Sequence, residues 1–132
     1  MKMIEVCCAI ICEGSKFLAV QKGRDSSHPM KWEFPGGKIL EHETPEHCIV
    51  REIKEELGVE IQILEQGNSV KFNYSDKRIL LIPFICMVIS GQIALNEHVE
   101  IKWFDYDHWK NIDWLDADAE LILKNQELLK SI

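Results

Sequence analysis

Apolar residues recur along the chain in short runs of the length and composition that β-strands favour. The runs are rich in valine, isoleucine and phenylalanine and are bounded by polar or glycine-containing segments. They predict six strands, over residues 3–12, 17–21, 60–66, 69–74, 78–90 and 101–104.

Glycine, proline and polar residues mark where the chain turns. Gly14-Ser15 predicts a turn between the first two strands, and residues 22–31 are polar and predict a loop. Pro35-Gly36-Gly37 predicts a further turn, in which both glycines are free to adopt positive φ.

One helix is predicted over residues 44–57. Thr44 supplies an N-cap oxygen, Pro45 suits the first helical position, Glu46 complements the helix dipole, and Gly58 ends the helix. The C-terminal segment, residues 116–130, predicts a second helix. Strands before and after one helix, with another helix closing the chain, predict an α+β arrangement around a mixed sheet.

Length and charge limit the classes of function. With 132 residues, the chain predicts a single domain spanning residues 1–132. The formal net charge is −7 and the sequence pI is near 5.2, so binding to duplex nucleic acid is not expected, because it requires basic surface.

The apolar runs also bear on location. None approaches the roughly 18 residues of a membrane-spanning helix, the longest (residues 79–89) contains Pro83, and no signal peptide is evident. The cysteines lie among apolar neighbours and predict buried free thiols, hence a reducing cytoplasm. They are Cys7, Cys8, Cys12, Cys48 and Cys86.

Acidic side chains cluster on the first predicted helix. Glu52, Glu55 and Glu56 stand at i, i+3 and i+4, which places them on one face, whereas Val50, Ile53 and Leu57 define another. Like charges at this spacing destabilise a helix by roughly 0.2–0.5 kcal/mol per pair. Three carboxylates that share a face despite this cost predict a site for Mg²⁺ or Mn²⁺.

These acids belong to a longer motif. Residues 37–59 match G-x5-E-x7-R-E-U-x-E-E-x-G-U, in which U is a bulky apolar residue, at every defined position, from Gly37 through Glu43 to Val59. The chain therefore resembles the Nudix hydrolases. The flanking segments WEFPGGK and EHVEIKWF are similar to the MutT branch, which includes 8-oxo-dGTP diphosphatases and CTP pyrophosphohydrolases. The resemblance implies a Nudix fold, a mixed sheet sandwiched between helices (α/β/α).

The resemblance also implies roles for residues of the motif. It makes Glu52, Glu55 and Glu56 ligands for Mg²⁺ or Mn²⁺, with the Gly37 carbonyl as a further ligand. Arg51 is then a catalytic-site residue that orients the glutamates, and Glu43 and Gly58 occupy structural positions. Lys38 is either a phosphate contact or a surface lysine.

Outside the motif, Glu97 aligns with a residue of MutT that takes part in metal binding and water activation. Glu100 is its nearest rival, and His98 is expected to be a bystander. The implied reaction directs water at the β-phosphorus of a nucleoside triphosphate and releases the monophosphate and pyrophosphate. Glu52, Glu55 and Glu97 are each candidates for the general base.

Five residues outside the acidic helix are candidates for contacts with the nucleobase or the phosphates. Trp32 and Phe34 are either base-stacking or core residues. Asp118 stands where MutT has an asparagine that reads oxidised guanine; an ionised aspartate accepts from the cytosine amino group, and a protonated one donates to a purine oxygen. Arg24 and Arg78 are further candidates for phosphate or base contacts.

Three functions stay open at this point. The first is a Mg²⁺-dependent nucleoside triphosphate pyrophosphohydrolase that clears oxidised or modified nucleotides of the 8-oxo-dGTP type, with CTP or dCTP hydrolysis as the alternative. The second is another Nudix substrate, such as ADP-ribose or a dinucleoside polyphosphate. The third is a catalytically silent ligand-binding module. A monomer or simple homodimer is expected, without a membrane partner.

Overall fold

The computed structural model describes residues 2–132, so Met1 of the predicted domain lies outside the described residues. The strands are β1 (Met3–Glu13), β2 (Lys16–Gln21), β3 (Trp32–Glu33), β4 (Gly36–Lys38), β5 (Glu60–Gln66), β6 (Val70–Asn73), β7 (Arg78–Ser90) and β8 (Glu100–Asp105). The helices are α1 (Pro45–Leu57), α2 (Asp116–Lys124) and α3 (Gln126–Lys130), and a 3₁₀ helix covers Tyr106–Asn111.

The strands form a mixed sheet with β1 at its centre. β1 runs parallel to β7 and antiparallel to β2 and β4. β5 and β6 pair antiparallel with β7, and β3 and β8 pair antiparallel with β2. This confirms the predicted α+β class and the mixed sheet.

The helices cover both faces of the sheet. Side chains alternate along β1, so Cys7, Ala9 and Ile11 pack toward α1. Cys8 and Ile10 face the opposite side, where they belong to the core shared with α2 and α3. Because β1 is buried on both faces, apolar residues occupy successive positions along it, which explains the continuous apolar run in the sequence. The α/β/α layering implied by the resemblance is therefore present.

Helix α1 begins and ends as predicted. The Thr44 side chain accepts a hydrogen bond from the His47 amide, and Gly58 adopts φ 71° at the C-terminus. The single helix predicted over residues 116–130 is wrong, because it is interrupted at Asn125. The buried Asn125 amide group bonds to the backbone of Asn68, which draws this residue away from regular helical geometry.

The prediction of a turn at Gly36-Gly37 is also wrong. These residues form β4, and neither adopts positive φ. Glycine is needed here for close approach instead. A Cβ atom at Gly36 would collide with the Cys7 carbonyl oxygen, and one at Gly37 would collide with the Glu52 carboxyl group.

Two of the five cysteines are not free thiols, in contrast to the prediction. Cys7 on β1 and Cys48 on α1 form a disulfide, whereas Cys8, Cys12 and Cys86 are free. The two partners are 41 residues apart and meet only where α1 packs on the sheet, so their sequence neighbours could not reveal the pair. The inference of a reducing compartment loses part of its basis. Within residues 2–132, no helix is both long and apolar enough to cross a bilayer.

The close approach of β4 to β1 predicts the effect of adding one methyl group. Gly36→Ala should lower the free energy of unfolding by about 1–3 kcal/mol, because backbone atoms rather than a flexible side chain obstruct the new Cβ. Gly23→Ala is the matched control, since its Cβ meets only an ordinary contact with Val99. Urea denaturation would measure both, and equal stability of the two variants would contradict the close-approach explanation.

Candidate functional site

Helix α1 buries one of its three motif glutamates. Glu56 is only 2% exposed and shares the buried face with Ile53 and Leu57, whereas the Glu55 side chain is 60% exposed. The expectation that all three acids lie on one face apart from the core therefore needs correction. Glu56 stands at the edge between the acidic and apolar faces and points into the protein.

Arg51 organises the acids on the exposed side. Its Nε and Nη2 atoms donate to the two carboxylate oxygens of Glu43, at 2.7 and 2.9 Å. Its Nη1 atom donates to Glu52 at 3.0 Å and to Glu55 at 3.2 Å. A bidentate pair of this kind fixes orientation as well as charge. The bonds from Arg51, together with the Leu40 amide, lower the pKa of Glu43 to about 2.

The loop between β7 and β8 is attached to the end of α1. The last carbonyl groups of a helix have no partner within the helix. Here the Asn96 side chain donates to the Glu55 carbonyl at 2.8 Å, and the Asn96 amide donates to the Glu56 carbonyl at 3.1 Å. These bonds place the next two residues, Glu97 and His98, beside the Glu56 side chain.

Glu56, Glu97 and His98 form a cluster with the arrangement of a metal site. One potential ligand atom from each residue lies within 4.8 Å of the others. The Oε2 atom of Glu56 and the Nδ1 atom of His98 are buried and have no hydrogen-bond partner within residues 2–132. Burial first, and then the charges of Glu97 and Glu52, raises the pKa of Glu56 to about 10.

This donor set fits a divalent cation. Buried polar atoms without partners are costly, and a cation bound between them would satisfy both the Glu56 oxygen and the His98 nitrogen. Glu52 lies against the Gly37 backbone, since its carboxyl group occupies the space of a Gly37 Cβ. Carboxylate and carbonyl oxygens suit Mg²⁺ or Mn²⁺, and the imidazole nitrogen is also compatible with Mn²⁺.

The cluster forms one wall of a cavity of about 360 Å³ between the loop 22–31, β4, α1 and the start of α2. Asp118 forms part of the opposite wall and is 5% exposed. Its Oδ2 atom accepts a hydrogen bond from the Phe34 amide at 2.9 Å. Burial, and to a lesser degree the charge of Glu33, raises the pKa of Asp118 well above its ordinary range. The neutral carboxyl group both donates and accepts hydrogen bonds.

The cavity also includes Gly37, Phe34 and Lys38 among the residues singled out from the sequence. Trp32 lies outside the cavity lining, is 9% exposed and packs in the core. Arg24 and Arg78 are exposed and also lie outside the lining, and the Arg78 Nε atom donates to Asn73 at 3.2 Å.

Several cavity residues were not given a site role from the sequence. Glu33 Oε2 lies 2.9 Å from His98 Nε2, a hydrogen-bond distance, and Lys22 Nζ lies 3.8 Å from the same Glu33 oxygen. His98, which was expected to be a bystander, is buried between Glu33 and Glu56. Tyr74 also lines the cavity, and its hydroxyl accepts from the backbone amide of Ala117 at 3.1 Å. Glu33 and His98 lie in the WEFPGGK and EHVEIKWF segments, which is the signal that could have found them.

Comparison with known proteins identifies the family of the chain. The NUDIX domain family matches residues 1–125 of the chain. The chain belongs to the Nudix family. It is similar to the CTP pyrophosphohydrolase of Escherichia coli K12, with 36% identity over 92% of this chain and 90% of the relative. It is also similar to the 8-oxo-dGTP diphosphatase of the same organism, with 34% identity over 97% of this chain and all of the relative.

Solved structures of this family share the fold. The solution structure of the E. coli ORF135 protein has a TM-score of 0.84 and 32% identity, covering 99% of this chain and 94% of its own. The crystal structure of a MutT protein from Methanosarcina mazei has a TM-score of 0.85 and covers 97% of this chain and 96% of its own. At 23% identity, the latter supports the fold alone. The family and its hydrolase relatives identify the chain as a Nudix hydrolase.

The Arg51–Glu43 pair predicts a stability difference that depends on pH. Because the folded protein lowers the pKa of Glu43 from 4.5 to about 2, ionised Glu43 stabilises the protein above pH 4.5. That contribution is lost as the pH falls toward 2. Glu43→Gln should therefore lower Tm clearly at pH 7, and the difference from wild type should shrink below pH 4.5.

Glu41→Gln serves as the control, because Glu41 is a neighbouring acid that is exposed. Thermal unfolding of the three proteins from pH 7 to pH 3 makes the comparison. A Tm difference for Glu43→Gln that stays constant over this range would show that the ion pair is not its cause.

Proposed function

We propose that this single domain is a divalent-metal-dependent nucleoside triphosphate pyrophosphohydrolase that acts on oxidised or modified nucleotides of the 8-oxo-dGTP type. The reaction directs water at the β-phosphorus and releases a nucleoside monophosphate and pyrophosphate. The observation that carries the proposal is the buried Glu56 oxygen that has no hydrogen-bond partner among residues 2–132, in a cavity walled in part by Gly37, Lys38 and Glu56 of the Nudix motif. The hydrolase relatives support the same reaction class.

The proposed cation site consists of Glu52, Glu55, Glu56, Glu97 and the Gly37 carbonyl. A bound Mg²⁺ or Mn²⁺ would lower the pKa of water and offset the charge of the phosphates. Arg51 holds Glu52 and Glu55 through its Nη1 atom and so orients both carboxylates. Lys22, Lys38 and Lys77 line the cavity and supply positive charge for the phosphates.

Glu97 is the strongest candidate for the general base. Its side chain is exposed, whereas Glu56 and His98 beside it are buried. Glu97 can therefore reach both the cation site and water. Glu52 and Glu55 stay as alternatives, although both already accept hydrogen bonds from Arg51. A carboxylate paired with arginine is a weaker proton acceptor than a solvated one.

Asp118 and Phe34 form the proposed nucleobase end of the cavity. Phe34 is held by Trp114, with ring centroids 4.8 Å apart, and its amide fixes Asp118. A neutral Asp118 can donate to an acceptor atom of the base, such as guanine O6, and accept from the neighbouring N1–H group. This pairing suits the Watson–Crick edge of guanine, including its 8-oxo form.

Cytidine triphosphates are the second candidate substrate. Cytosine also presents an acceptor, N3, beside a donor, the N4 amino group, and so fits the same neutral carboxyl group. The CTP pyrophosphohydrolase relative supports this alternative. A silent binding module is less well supported, because every glutamate of the motif is present.

We also propose a cytoplasmic location, which the three free cysteines favour.

Removing the buried carboxylate should abolish most of the activity. Glu56→Gln should lower kcat/KM for pyrophosphate release by more than the roughly 10- to 100-fold typical of lost supporting residues at metal sites. EDTA should stop the wild-type reaction, and added Mg²⁺ should restore it. Glu46→Gln, on the exposed first turn of α1, is the matched control and should keep full activity. Full activity of Glu56→Gln, or in EDTA, would refute the proposed mechanism.

The nucleobase can be identified by comparing kcat/KM for 8-oxo-dGTP, dGTP, CTP, dCTP and 5-methyl-dCTP. We expect Asp118→Asn to change the ratio between the purine and pyrimidine groups by about tenfold, since an amide offers fixed donors and a fixed acceptor. Asp116→Asn, on the exposed first turn of α2, is the control. If pyrimidines outrank 8-oxo-dGTP in the wild type, the cytidine alternative replaces the main proposal. An unchanged ratio in Asp118→Asn would remove Asp118 from base recognition.

A further inference from the structure

The His98 side chain occupies an unusual position for a residue with no part in the Nudix motif. Its side chain is 5% exposed and lies between two carboxyl groups from distant parts of the chain. The Nε2 atom is 2.9 Å from Glu33 Oε2, and the Nδ1 atom is 3.7 Å from Glu56 Oε1. The first distance is a hydrogen bond, and the second is too long for one.

The hydrogen bond to Glu33 decides what Nδ1 can do. A carboxylate such as Glu33 accepts, so Nε2 carries the proton of this bond and the lone pair of a neutral ring is on Nδ1. That atom is buried and has no hydrogen-bond partner among residues 2–132. It faces the Glu56 carboxyl group, whose Oε1 atom is 3.7 Å away. One carboxylate oxygen of Glu97 also lies within 4.8 Å of a ring nitrogen of His98.

This arrangement matches a known design of metal sites. A histidine that binds a metal through one nitrogen usually donates its other ring N–H to a carboxylate, which fixes the tautomer and the ring orientation. Glu33 takes the place of that carboxylate here. Lys22 Nζ lies 3.8 Å from the same Glu33 oxygen.

We propose that the Nδ1 nitrogen of His98 is a ligand for the divalent cation, beside the carboxylates of Glu56 and Glu97. The inference rests on the proposed metal-dependent function and adds a nitrogen donor to an otherwise all-oxygen set. Imidazole is a poor ligand for Mg²⁺ and a better one for divalent ions of the first transition series, including Mn²⁺. The protein should therefore prefer Mn²⁺ over Mg²⁺ more strongly than an all-oxygen site would.

Pulsed EPR of Mn²⁺ bound to the intact protein tests the ligand directly. A directly bonded nitrogen gives a hyperfine coupling, and this coupling should change when only the histidines carry ¹⁵N. His98→Gln should remove the coupling. His108→Gln should keep it, because His108 lies on the 3₁₀ helix, outside the cavity lining. The labelled wild type needs no variant, so the test holds even if His98→Gln folds poorly.

Titration calorimetry with Mn²⁺ and with Mg²⁺ provides a second readout. We expect His98→Gln to raise Kd for Mn²⁺ by about tenfold or more and to raise Kd for Mg²⁺ less. Glu33→Gln should keep the nitrogen coupling and weaken Mn²⁺ binding by about tenfold, because it loosens the orientation of the ring.

The possible failures are distinguishable. Saturable Mn²⁺ binding by the wild type without a histidine coupling would overturn this inference and leave the proposed function intact. A coupling that survives in His98→Gln would also overturn it. The absence of any saturable Mn²⁺ or Mg²⁺ binding would overturn both the inference and the metal-dependent function on which it rests.

Discussion

The burial of acidic side chains in the cavity, together with the repulsion among them, is the constraint on which the rest of the site depends. Glu33, Glu56, Glu97 and Asp118 all face one cavity, and two of them are buried. A buried carboxylate without a partner is strongly disfavoured, so burial raises the pKa of both Glu56 and Asp118. Their environments differ in one respect, since Asp118 is held by the Phe34 amide whereas Glu56 keeps an oxygen without a partner. Asp118 is complete as a neutral group, whereas the Glu56 oxygen is an atom that the proposed cation would satisfy.

Backbone contacts hold the acids together against this repulsion. Gly37 lets Glu52 approach the strand that precedes α1, and Asn96 fastens the β7–β8 loop to the exposed carbonyls at the end of the helix. The cluster is thus assembled from two segments whose relative position is set by the hydrogen bonds between the loop and the end of the helix. A cation would bind between side chains that these bonds already bring together.

Local signals made α1 predictable and left the cavity largely hidden. The Thr44 cap, Pro45 and Gly58 act within a few residues, so the helix bounds could be read from the sequence. The Glu33–His98 contact joins residues 65 positions apart, and no local pattern encodes it. The helix face was misjudged for a related reason. Glu56 lies at the edge of the acidic face and is buried where the β7–β8 loop, whose Asn96 backbone amide donates to the Glu56 carbonyl, meets the helix. Asn125 illustrates the same limit, because its helix-breaking contact is with Asn68.

The net charge of −7 gains a different meaning once it is placed on the structure. It argues against a polyanionic partner only if the acids repel that partner directly. Here the buried acids face inward toward a proposed cation, while Lys22, Lys38 and Lys77 stand along the same cavity. A triphosphate would therefore meet lysines and a metal ion before it meets carboxylates. In the proposed mechanism the acids act on the substrate through the cation, so a net negative charge is compatible with a highly charged nucleotide as substrate.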